Sequence, residues 1–284
     1  MKPIKSLQFQ VEKNKFINHA IEEIPEENLT LATDEIIVKV DLFSFTSNNI
    51  TYAVSGEIIR YWEFFPPVGK QTEGWGVIPV WGFADVVESK ADGIPVGDRI
   101  FGYFPPASHL KMKAGHITGK RFIDVSEHRS TLPPTYNLYR RVLSEPNYDQ
   151  KLDRDRALFY PLYITSFCLW DSLQENNWFG AEQTIILSAS SKTSIGLAYG
   201  LHIDETAPNA IGITSERNLE AVVKLGLYDE VYTYDQLAQI NSTIPTVIVD
   251  MSGNNVVLVD LHKRLGDLMK FTFKVGLTHW KESN

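Results

Sequence analysis

Residues 182–196 read EQTIILSASSKTSIG, and this stretch decides the fold of the second half of the chain. Its apolar part, residues 184–187, predicts a buried strand, and the small residues that follow predict a tight turn. Lys192 and Thr193 come next, and a helix is predicted from Ser194 onward. A strand, a small-residue turn and a helix start form a phosphate-binding arrangement, because the first helical N–H groups and the helix dipole attract an anion.

The usual dinucleotide-binding pattern, G-x-G-x-x-G, is altered in this turn. Residues 188–193 read S-x-S-x-x-T, and Gly196 follows three residues later, so hydroxyl groups stand where glycines are expected. A plain strand–turn–helix is therefore one alternative. A degenerate P-loop is another, because residues 191–193 read S-K-T, but the glycines that wrap a phosphate are missing.

The rest of this half alternates strands with helices. Strands are predicted at residues 210–214, 230–234, 245–250 and 269–275. A helix is predicted at residues 217–225, and Ser252-Gly253-Asn254 is typical of another helix start. This order predicts the α/β class, with a doubly wound parallel sheet and helices on both faces. Ligands of such sheets bind beyond the carboxyl ends of the strands. The segments expected around one crevice are residues 188–193, 214–217, 251–253 and 276–279.

Composition limits the function classes. The 284 residues are 43% hydrophobic and 22% charged, as in a globular protein of one large or two smaller domains. The net charge of −8 argues against nucleic acid and anionic membranes as partners. The single cysteine, Cys168, excludes an internal disulfide and a multi-cysteine zinc site, and it is expected to be buried and inert. The absence of a signal peptide or an apolar span favours a cytoplasmic location.

The N-terminal half has β-strand and turn signals instead. Strands are predicted in residues 35–45, 78–88 and 91–103, with turns at Asp92-Gly93 and Gly97-Asp98. They indicate a small, partly open antiparallel barrel. Pro133-Pro134 marks a domain boundary, which gives a first domain of residues 1–132 and a second of residues 133–284. Residues 144–156 are expected to form a loop or a short linker.

Several segments resemble the medium-chain dehydrogenases/reductases. Residues 82–103 (GFADVVESKADGIPVGDRIFGY) resemble the glycine-bearing strand and G-D-R-V turn of that superfamily. Residues 158–173 (LFYPLYITSFCLWDSL) resemble the helix before its nucleotide-binding half. The segments SNNITYAVSG, YWEFFP, IPVWGFADV, GYFPPASHL, LSASSKTS and IVDMSGN resemble the quinone-oxidoreductase-like DUF2855 proteins.

This resemblance implies a GroES-like domain and a Rossmann domain, with the active site in the cleft between them. The cysteine and G-H-E zinc ligands of the superfamily are missing, so no metal is expected. Family members run on through a sixth strand, whereas this chain stops at Asn284, which suggests a truncated chain or an unusual Rossmann edge. An exposed fifth strand would need a cover, so a homodimer is a candidate assembly.

The candidate cofactor residues follow the strands of the second half. They are Ser188, Ser190, Ser191, Lys192, Thr193, Thr214, Ser215, Arg217, Ser252, Gly253 and Gly276. An acidic residue usually binds the ribose of NAD after the second strand, but Thr214 and Ser215 stand there. Arg217 suits a 2′-phosphate, so NADP(H) is favoured over NAD(H) unless Glu216 points inward. The alternatives are a solvated Lys192, a solvent-facing Arg217 and hydroxyls that only cap the helix.

The candidate catalytic residues lie in the first half, in a loop that faces the nicotinamide by resemblance. Asn49 is a candidate to hold a substrate carbonyl, Tyr52 to hold it or donate a proton, and Tyr61 to join an aromatic wall. The other members of that wall are Trp62, Phe64 and Phe65. Ordinary core packing is the alternative for each aromatic residue. His109 and His279 are weaker candidate acids, since a lone histidine is more often a packed or surface residue.

Two functions from different classes fit the sequence. The first is a zinc-independent, NADPH-dependent oxidoreductase that reduces a carbonyl or an activated alkene of the quinone or enone type, with a small molecule as substrate. The second is a non-catalytic dinucleotide-binding or interaction module with the same fold. Lys192 and residues 214–217 favour the first, and the missing glycines favour the second.

Overall fold

The computed structural model describes residues 5–69 and 72–276. They form two compact units, one ending at Leu158 and the other beginning at Phe159. The boundary lies within a long helix and later than the expected boundary at Pro133-Pro134. It falls later because residues 138–141 form a strand of the first unit.

The first unit consists mainly of antiparallel strands. Its strands are β1 (Leu7–Glu12), β2 (Lys15–Glu23), β3 (Glu35–Ser44), β4 (Trp75–Gly76), β5 (Val80–Ser89), β6 (Arg99–Phe104), β7 (His109–Gly115), β8 (Arg121–Asp124) and β9 (Leu138–Arg141). Helix α1 (Asn48–Val54) follows β3. Short 3-10 helices lie at Glu26–Leu29, Tyr61–Glu63, Glu127–Arg129, Pro134–Asn137, Val142–Ser144 and Gln150–Leu152.

Six of these strands close into a barrel in the order β3-β5-β6-β9-β8-β7, and β2-β1-β4 form a separate sheet. The barrel is therefore closed rather than partly open. The closure depends on β8 and β9, which pair with each other and join β7 to β6. These strands are four residues long, too short for a clear alternating pattern in the sequence. Alternate barrel residues such as Ile36, Val38 and Phe122 are fully buried and form the core.

A buried ion pair between Arg129 and Asp124 stabilises the end of β8 in this unit. The Arg129 guanidinium donates to Asp124 at 2.6 Å, and both side chains are at most 2% exposed. Arg129 also donates to the hydroxyl of Tyr139 at 2.9 Å and to the carbonyl of Tyr136 at 2.8 Å. Burial raises the pKa of Tyr139 to about 12, although the neighbouring Arg129 opposes the rise. Arg129 thus joins β8, β9 and the 3-10 helix at Pro134–Asn137.

The second unit alternates strands and helices, as the sequence predicts. In chain order the elements are α2 (Asp153–Glu175), β10 (Gln183–Leu187), α3 (Lys192–His202), β11 (Asn209–Thr214), α4 (Glu216–Lys224), β12 (Glu230–Thr233), β13 (Thr246–Asp250), α5 (Asn255–Leu265) and β14 (Met269–Lys274). Short 3-10 helices lie at Asn177–Gly180, Tyr234–Gln239 and Gly266–Leu268. Helix α2 begins within the expected linker at residues 144–156, and that linker also contains the 3-10 helix at Gln150–Leu152.

The five strands form a parallel sheet in the order β12-β11-β10-β13-β14. Successive residues of β10 point to opposite faces of this sheet. Ile186 packs in one core with Leu197 of α3 and Leu173 of α2. Ile185 packs in the other core with Leu258 of α5. Both faces are therefore covered by helices, and the predicted doubly wound α/β fold is confirmed.

We expect Arg129→Met to lower the free energy of unfolding by about 3–5 kcal/mol, because Asp124 would then be a buried carboxylate without its cation. Urea denaturation followed by circular dichroism would measure the change. The matched control is Arg264→Met, which breaks a pair with Asp260 whose side chains are about 40% exposed. The control should cost at most about 1 kcal/mol. Equal losses for both variants would contradict the structural role of Arg129.

Candidate functional site

The turn after β10 passes the chain from the sheet to α3. Ser188 adopts a left-handed conformation with φ of 59°, where a glycine is usually needed. Its N–H donates to the hydroxyl of Tyr234 at 3.2 Å, and the N–H of Ser191 donates to the carbonyl of Ser188 at 2.8 Å. The N–H of Ala189 donates to the carbonyl of Ile213 in the neighbouring strand at 2.8 Å. The turn is therefore made without glycine, and hydrogen bonds on several sides hold it.

Ser191 is the N-cap of α3. Its hydroxyl accepts the N–H of Ser194 at 3.2 Å, and its carbonyl accepts the N–H of Ile195 at 2.9 Å. The two preceding N–H groups, of Lys192 and Thr193, have no acceptor within the helix and none among the described residues. The Lys192 side chain is exposed and pairs with no acid in residues 5–69 and 72–276. Two N–H donors and one ammonium group thus remain available at the helix start.

The carboxyl end of β11 lies beside this turn. The Asn218 amide of α4 donates to the Ser190 hydroxyl at 3.0 Å, which joins the two segments. Thr214 is 1% exposed, and its hydroxyl has no hydrogen-bond partner among the described residues. Ser215 is the N-cap residue of α4, and its side chain makes no capping bond. Arg217, in the first turn of α4, is exposed and makes no ion pair in the part of the chain described here.

The carboxyl ends of β13 and β14 complete this edge of the sheet. Asp250 is 2% exposed, and one of its oxygens accepts the N–H and hydroxyl of Ser252 and the N–H of Gly253 at 2.7–3.0 Å. The N–H of Gly276 donates to the carbonyl of Asp250 at 3.2 Å. A Cβ atom on Gly276 would lie 2.1 Å from the carbonyl oxygen of Met251, so only glycine fits there. His279 lies outside the described residues.

In the first unit, Asn49 and Tyr52 lie on α1. The Asn49 oxygen accepts the N–H of Thr46 at 2.7 Å, and its amide nitrogen donates to the carbonyl of Pro79 at 2.9 Å. At 4% exposure, this side chain holds α1 against the segment before β5. The Thr46 hydroxyl also donates to this oxygen at 3.5 Å, so the hydrogen bonds of Asn49 hold the start of α1 in place.

The hydroxyl of Tyr52 has a different set of partners. Its oxygen accepts hydrogen bonds from the Trp81 indole N–H at 3.1 Å and from the Asn48 amide at 3.5 Å. Both partners are donors, so the Tyr52 proton has no acceptor among the described residues. Burial, with a smaller contribution from Tyr136, raises the pKa of Tyr52 well above its usual value. The hydroxyl therefore stays protonated at neutral pH and can donate to another oxygen.

Tyr52 belongs to a group of four aromatic side chains, called here the tyrosine cluster: Tyr52, Tyr61, Tyr103 and Tyr136. Their ring centroids lie 4.6–5.7 Å apart in contacting pairs. The Tyr61 and Tyr136 hydroxyls share a hydrogen bond at 2.8 Å. The Tyr103 hydroxyl is fully buried and has no partner in the described part of the chain. Trp62, Phe64 and Phe65 are also buried, which is compatible both with an aromatic wall and with ordinary core packing.

Sequence reasoning missed Tyr103, Tyr136 and Trp81 as members of this group. Tyr103 and Trp81 lie directly opposite each other on β6 and β5. Both could have been recognised as candidates, because they stand in segments where the sequence predicts strands. Tyr136 carried no signal, since it lies in a 3-10 helix far along the chain from Tyr61.

Cys168 and His109 are the other described residues that the sequence analysis considered. Cys168 is exposed on α2, so the prediction that it is buried is wrong; the neighbouring Ser166 and Leu169 point inward instead. His109 is half-buried in β7, where its ring shares a hydrogen bond of 2.9 Å with Ser6, and burial and Lys39 lower its pKa. Within residues 5–69 and 72–276, acids, histidines and the cysteine form no group of three that could hold a metal. Over the same residues, every helix is too short or too polar to cross a membrane.

Comparisons with known proteins agree with this architecture. The structure is similar to CurA from Vibrio vulnificus, with a TM-score of 0.59, 15% identity and coverage of 98% of this chain and 74% of that one. The structure is also similar to the CurK enoyl reductase, with a TM-score of 0.57, 12% identity and coverage of 99% of this chain and 77% of that one. A third similar structure is the complex of Etr1p with NADP and crotonyl-CoA, with a TM-score of 0.54, 12% identity and coverage of 97% of this chain and 76% of that one. A comparison with curated protein sequences gave no significant match.

The fold is that of the medium-chain dehydrogenases/reductases, with a GroES-like barrel unit and a Rossmann unit. Over residues 43–284 the sequence matches the family described as "Protein of unknown function (DUF2855)". The chain therefore belongs to the DUF2855 family, and the resemblance found in the sequence is confirmed.

We expect Ser191→Ala to destabilise the protein by about 1 kcal/mol, because α3 would lose its N-cap. Ser191→Asp should restore the wild-type melting temperature, since aspartate is an equally good N-cap residue. Differential scanning calorimetry of the three proteins would test this. If both substitutions lowered the melting temperature equally, the hydroxyl would not act as a cap.

Proposed function

We propose that this protein is a zinc-independent, NADPH-dependent reductase of a carbonyl or an activated alkene of the quinone or enone type. The observation that carries the proposal is the pair of unpartnered helix N–H groups beside Lys192, at the carboxyl end of the central strand β10. Such groups bind a diphosphate in Rossmann folds. The structural similarity to Etr1p, solved with NADP and crotonyl-CoA, supports the same class of cofactor and substrate.

The residues at this edge of the sheet fit a dinucleotide. The helix start and Lys192 would bind the diphosphate, and the unpartnered hydroxyl of Thr214 would find its hydrogen-bond partner on the adenosine part. Arg217 is free to bind a 2′-phosphate, whereas Glu216 is exposed at the start of α4 and not turned inward. This pattern favours NADP(H) over NAD(H). When bound, NADPH supplies a hydride to an electrophilic carbon of the substrate.

In this proposal, the barrel unit supplies the proton donor of the reaction. The Tyr52 hydroxyl holds a proton that no described residue accepts, and its buried setting keeps that proton in place at neutral pH. We assign it the role of donating to the oxygen of the substrate carbonyl, which stabilises the negative charge that develops there. Tyr61 and the other buried rings surround Tyr52 and give its hydroxyl an apolar setting. Asn49 positions helix α1, which carries Tyr52.

NADPH should bind to the purified protein, and Lys192→Ala should weaken it by about 1–3 kcal/mol, the usual size of a charge-assisted hydrogen bond. Arg217→Ala should weaken NADPH more than NADH, because only NADPH carries the 2′-phosphate. Isothermal titration with both cofactors measures these affinities. Ser191→Asp should also weaken binding, since it keeps the helix cap but places a negative charge beside the diphosphate.

The matched control is Lys224→Ala, which removes an exposed cation from the last turn of α4, at the opposite end from Arg217. Its affinity for NADPH should equal that of the wild type. No binding of NADPH to the wild-type protein would end the oxidoreductase proposal. Equal losses of NADPH and NADH in Arg217→Ala would remove Arg217 from phosphate recognition.

For the reaction itself, Tyr52→Phe should lower kcat by about a hundredfold, the lower range for loss of a general acid, and leave NADPH affinity unchanged. Steady-state kinetics with a panel of quinones and enones would measure this. Tyr139→Phe is the control, because among the described residues the Tyr139 hydroxyl bonds to Arg129 and to the Tyr103 carbonyl, so its loss should affect stability alone. Full turnover in Tyr52→Phe would assign the proton to solvent and leave Tyr52 as a packing residue.

A non-catalytic dinucleotide-binding module is the second candidate. It is favoured by the hydroxyl groups that replace glycines in the turn, where the Ser190 hydroxyl accepts a hydrogen bond from Asn218. Under this alternative NADPH binds, but no quinone or enone is reduced. We further propose a cytoplasmic protein without nucleic-acid or membrane partners. A homodimer would cover β14, which pairs with β13 on one side only within the described sheet.

A further inference from the structure

Strand β2 forms an open edge of the small sheet β2-β1-β4. It pairs with β1 on one side, and no strand in the described part of the chain pairs with it on the other. The register of the β1–β2 pair shifts between Val11 and Glu12, but from His19 to Glu23 it is regular. This segment lies outside residues 43–284, which match the DUF2855 family. An open edge of this kind is a template for pairing with another strand.

The hydrogen bonds beside this pair show which backbone groups of β2 face outward. The N–H of Ile24 donates to the carbonyl of Ser6 at 2.7 Å, so Ile24 faces β1. In an antiparallel pair, alternate residues of a strand bond to the same neighbour. The N–H and carbonyl groups of His19, Ile21 and Glu23 therefore point away from β1. Within residues 5–69 and 72–276, no hydrogen bond reaches these outward groups.

The side chains at the centre of this edge are apolar and exposed. Ile21 is 66% exposed, and Leu7, on the same face of β1, is 38% exposed. The Phe9 ring lies directly across the pair from Ile21 and is half-buried, 5.8 Å from the His19 ring. Many natural edge strands carry a lysine or a proline that prevents pairing. Neither occurs from His19 to Glu23, so the centre of the edge is available for apolar contact.

The charges along this segment have opposite signs at its two ends. Lys15 is exposed at the start of β2, and Glu26 and Glu27 are exposed just after its end. None of these three side chains forms an ion pair among the described residues, whereas Glu23 pairs with Lys5 at the surface. An antiparallel copy of the same segment would place the basic start of one strand beside the acidic end of the other. A parallel copy would place like charges together, which is unfavourable.

We propose that β2 pairs antiparallel with β2 of a second copy of this chain, about a twofold axis at Ile21. Ile21 then lies opposite the same residue of the second copy, and His19 lies opposite Glu23 in two symmetric places. A second copy fits because the outward backbone groups, the apolar centre and the order of charges are complementary to themselves in this orientation. The interface consists of short strands, so the dimer should dissociate on dilution. This edge is distinct from the β14 edge of the other unit.

Analytical ultracentrifugation of the whole chain over a range of concentrations should show an equilibrium between monomer and dimer. Ile21→Lys should weaken the dimer at least tenfold, because it places two like charges opposite each other at the axis. Ile21 is exposed, so this variant should keep the wild-type melting temperature. The matched control is Val96→Lys, the same kind of change at a side chain that is 64% exposed between β5 and β6. Its dissociation constant should equal that of the wild type.

Cross-linking through an introduced cysteine locates the axis. Cys168→Ser removes the one native thiol. In that background Ile21→Cys should form a disulfide between two chains on mild oxidation, because facing residues of a strand pair lie about 5.5 Å apart, within disulfide reach. Ile17→Cys is the control, since residue 17 is also exposed but the two copies of it would lie roughly 25 Å apart along the strands.

Three results would each overturn the proposal. They are a wild-type chain that stays monomeric at every concentration, a dimer that Ile21→Lys leaves as stable as before, and cross-linking of Ile17→Cys as efficient as that of Ile21→Cys. The last two would assign the dimer to another surface or another register. None of these measurements depends on NADPH binding, so the reductase proposal is tested separately.

Discussion

The second unit depends on how the chain leaves β10. This strand is central in the parallel sheet, and all five of its residues are buried. The chain must turn sharply at its end and begin a helix at once, and it does so through Ser188, at a φ that serine rarely adopts, and through the Ser191 cap. The strain at Ser188 is offset by backbone hydrogen bonds to β11 and to Tyr234. The missing glycine therefore changes the side chains of the turn and not its course.

In the barrel unit the corresponding constraint is the burial of tyrosine hydroxyl groups. A buried hydroxyl without a partner costs free energy, so natural proteins rarely keep one without a reason. Among the described residues the Tyr103 hydroxyl has no hydrogen-bond partner, and the Tyr52 oxygen has only donors around it. An acceptor oxygen from a bound molecule would relieve this cost. The same feature that is unfavourable for folding is therefore favourable for binding a carbonyl or quinone oxygen.

The Rossmann unit was predictable from the sequence because its strands β10, β11 and β13 are buried, largely apolar runs that end at a turn or cap signal. The observed bounds of β10, β11 and β13 differ from the predicted ones by at most one residue. The barrel was harder to predict, since its closure uses the short strands β8 and β9. Pairings between distant segments, such as Tyr61 with Tyr136, leave no periodic signal in one sequence. The exposure of Cys168 could not be predicted from the sequence either, because α2 is apolar on most sides and contains Pro161.

Charge is distributed unevenly over this acidic chain, and the distribution distinguishes structural from binding cations. Arg99 is nearly buried and bonds to Asp41, Asp85 and Asp153, and Arg129 is buried against Asp124. These arginines are compensated within the fold. Lys192 and Arg217 are exposed beside helix starts and make no ion pair in the part of the chain that the structure describes. The cations proposed to bind phosphate groups are therefore those that make no ion pair among the described residues, whereas the paired arginines stabilise the fold.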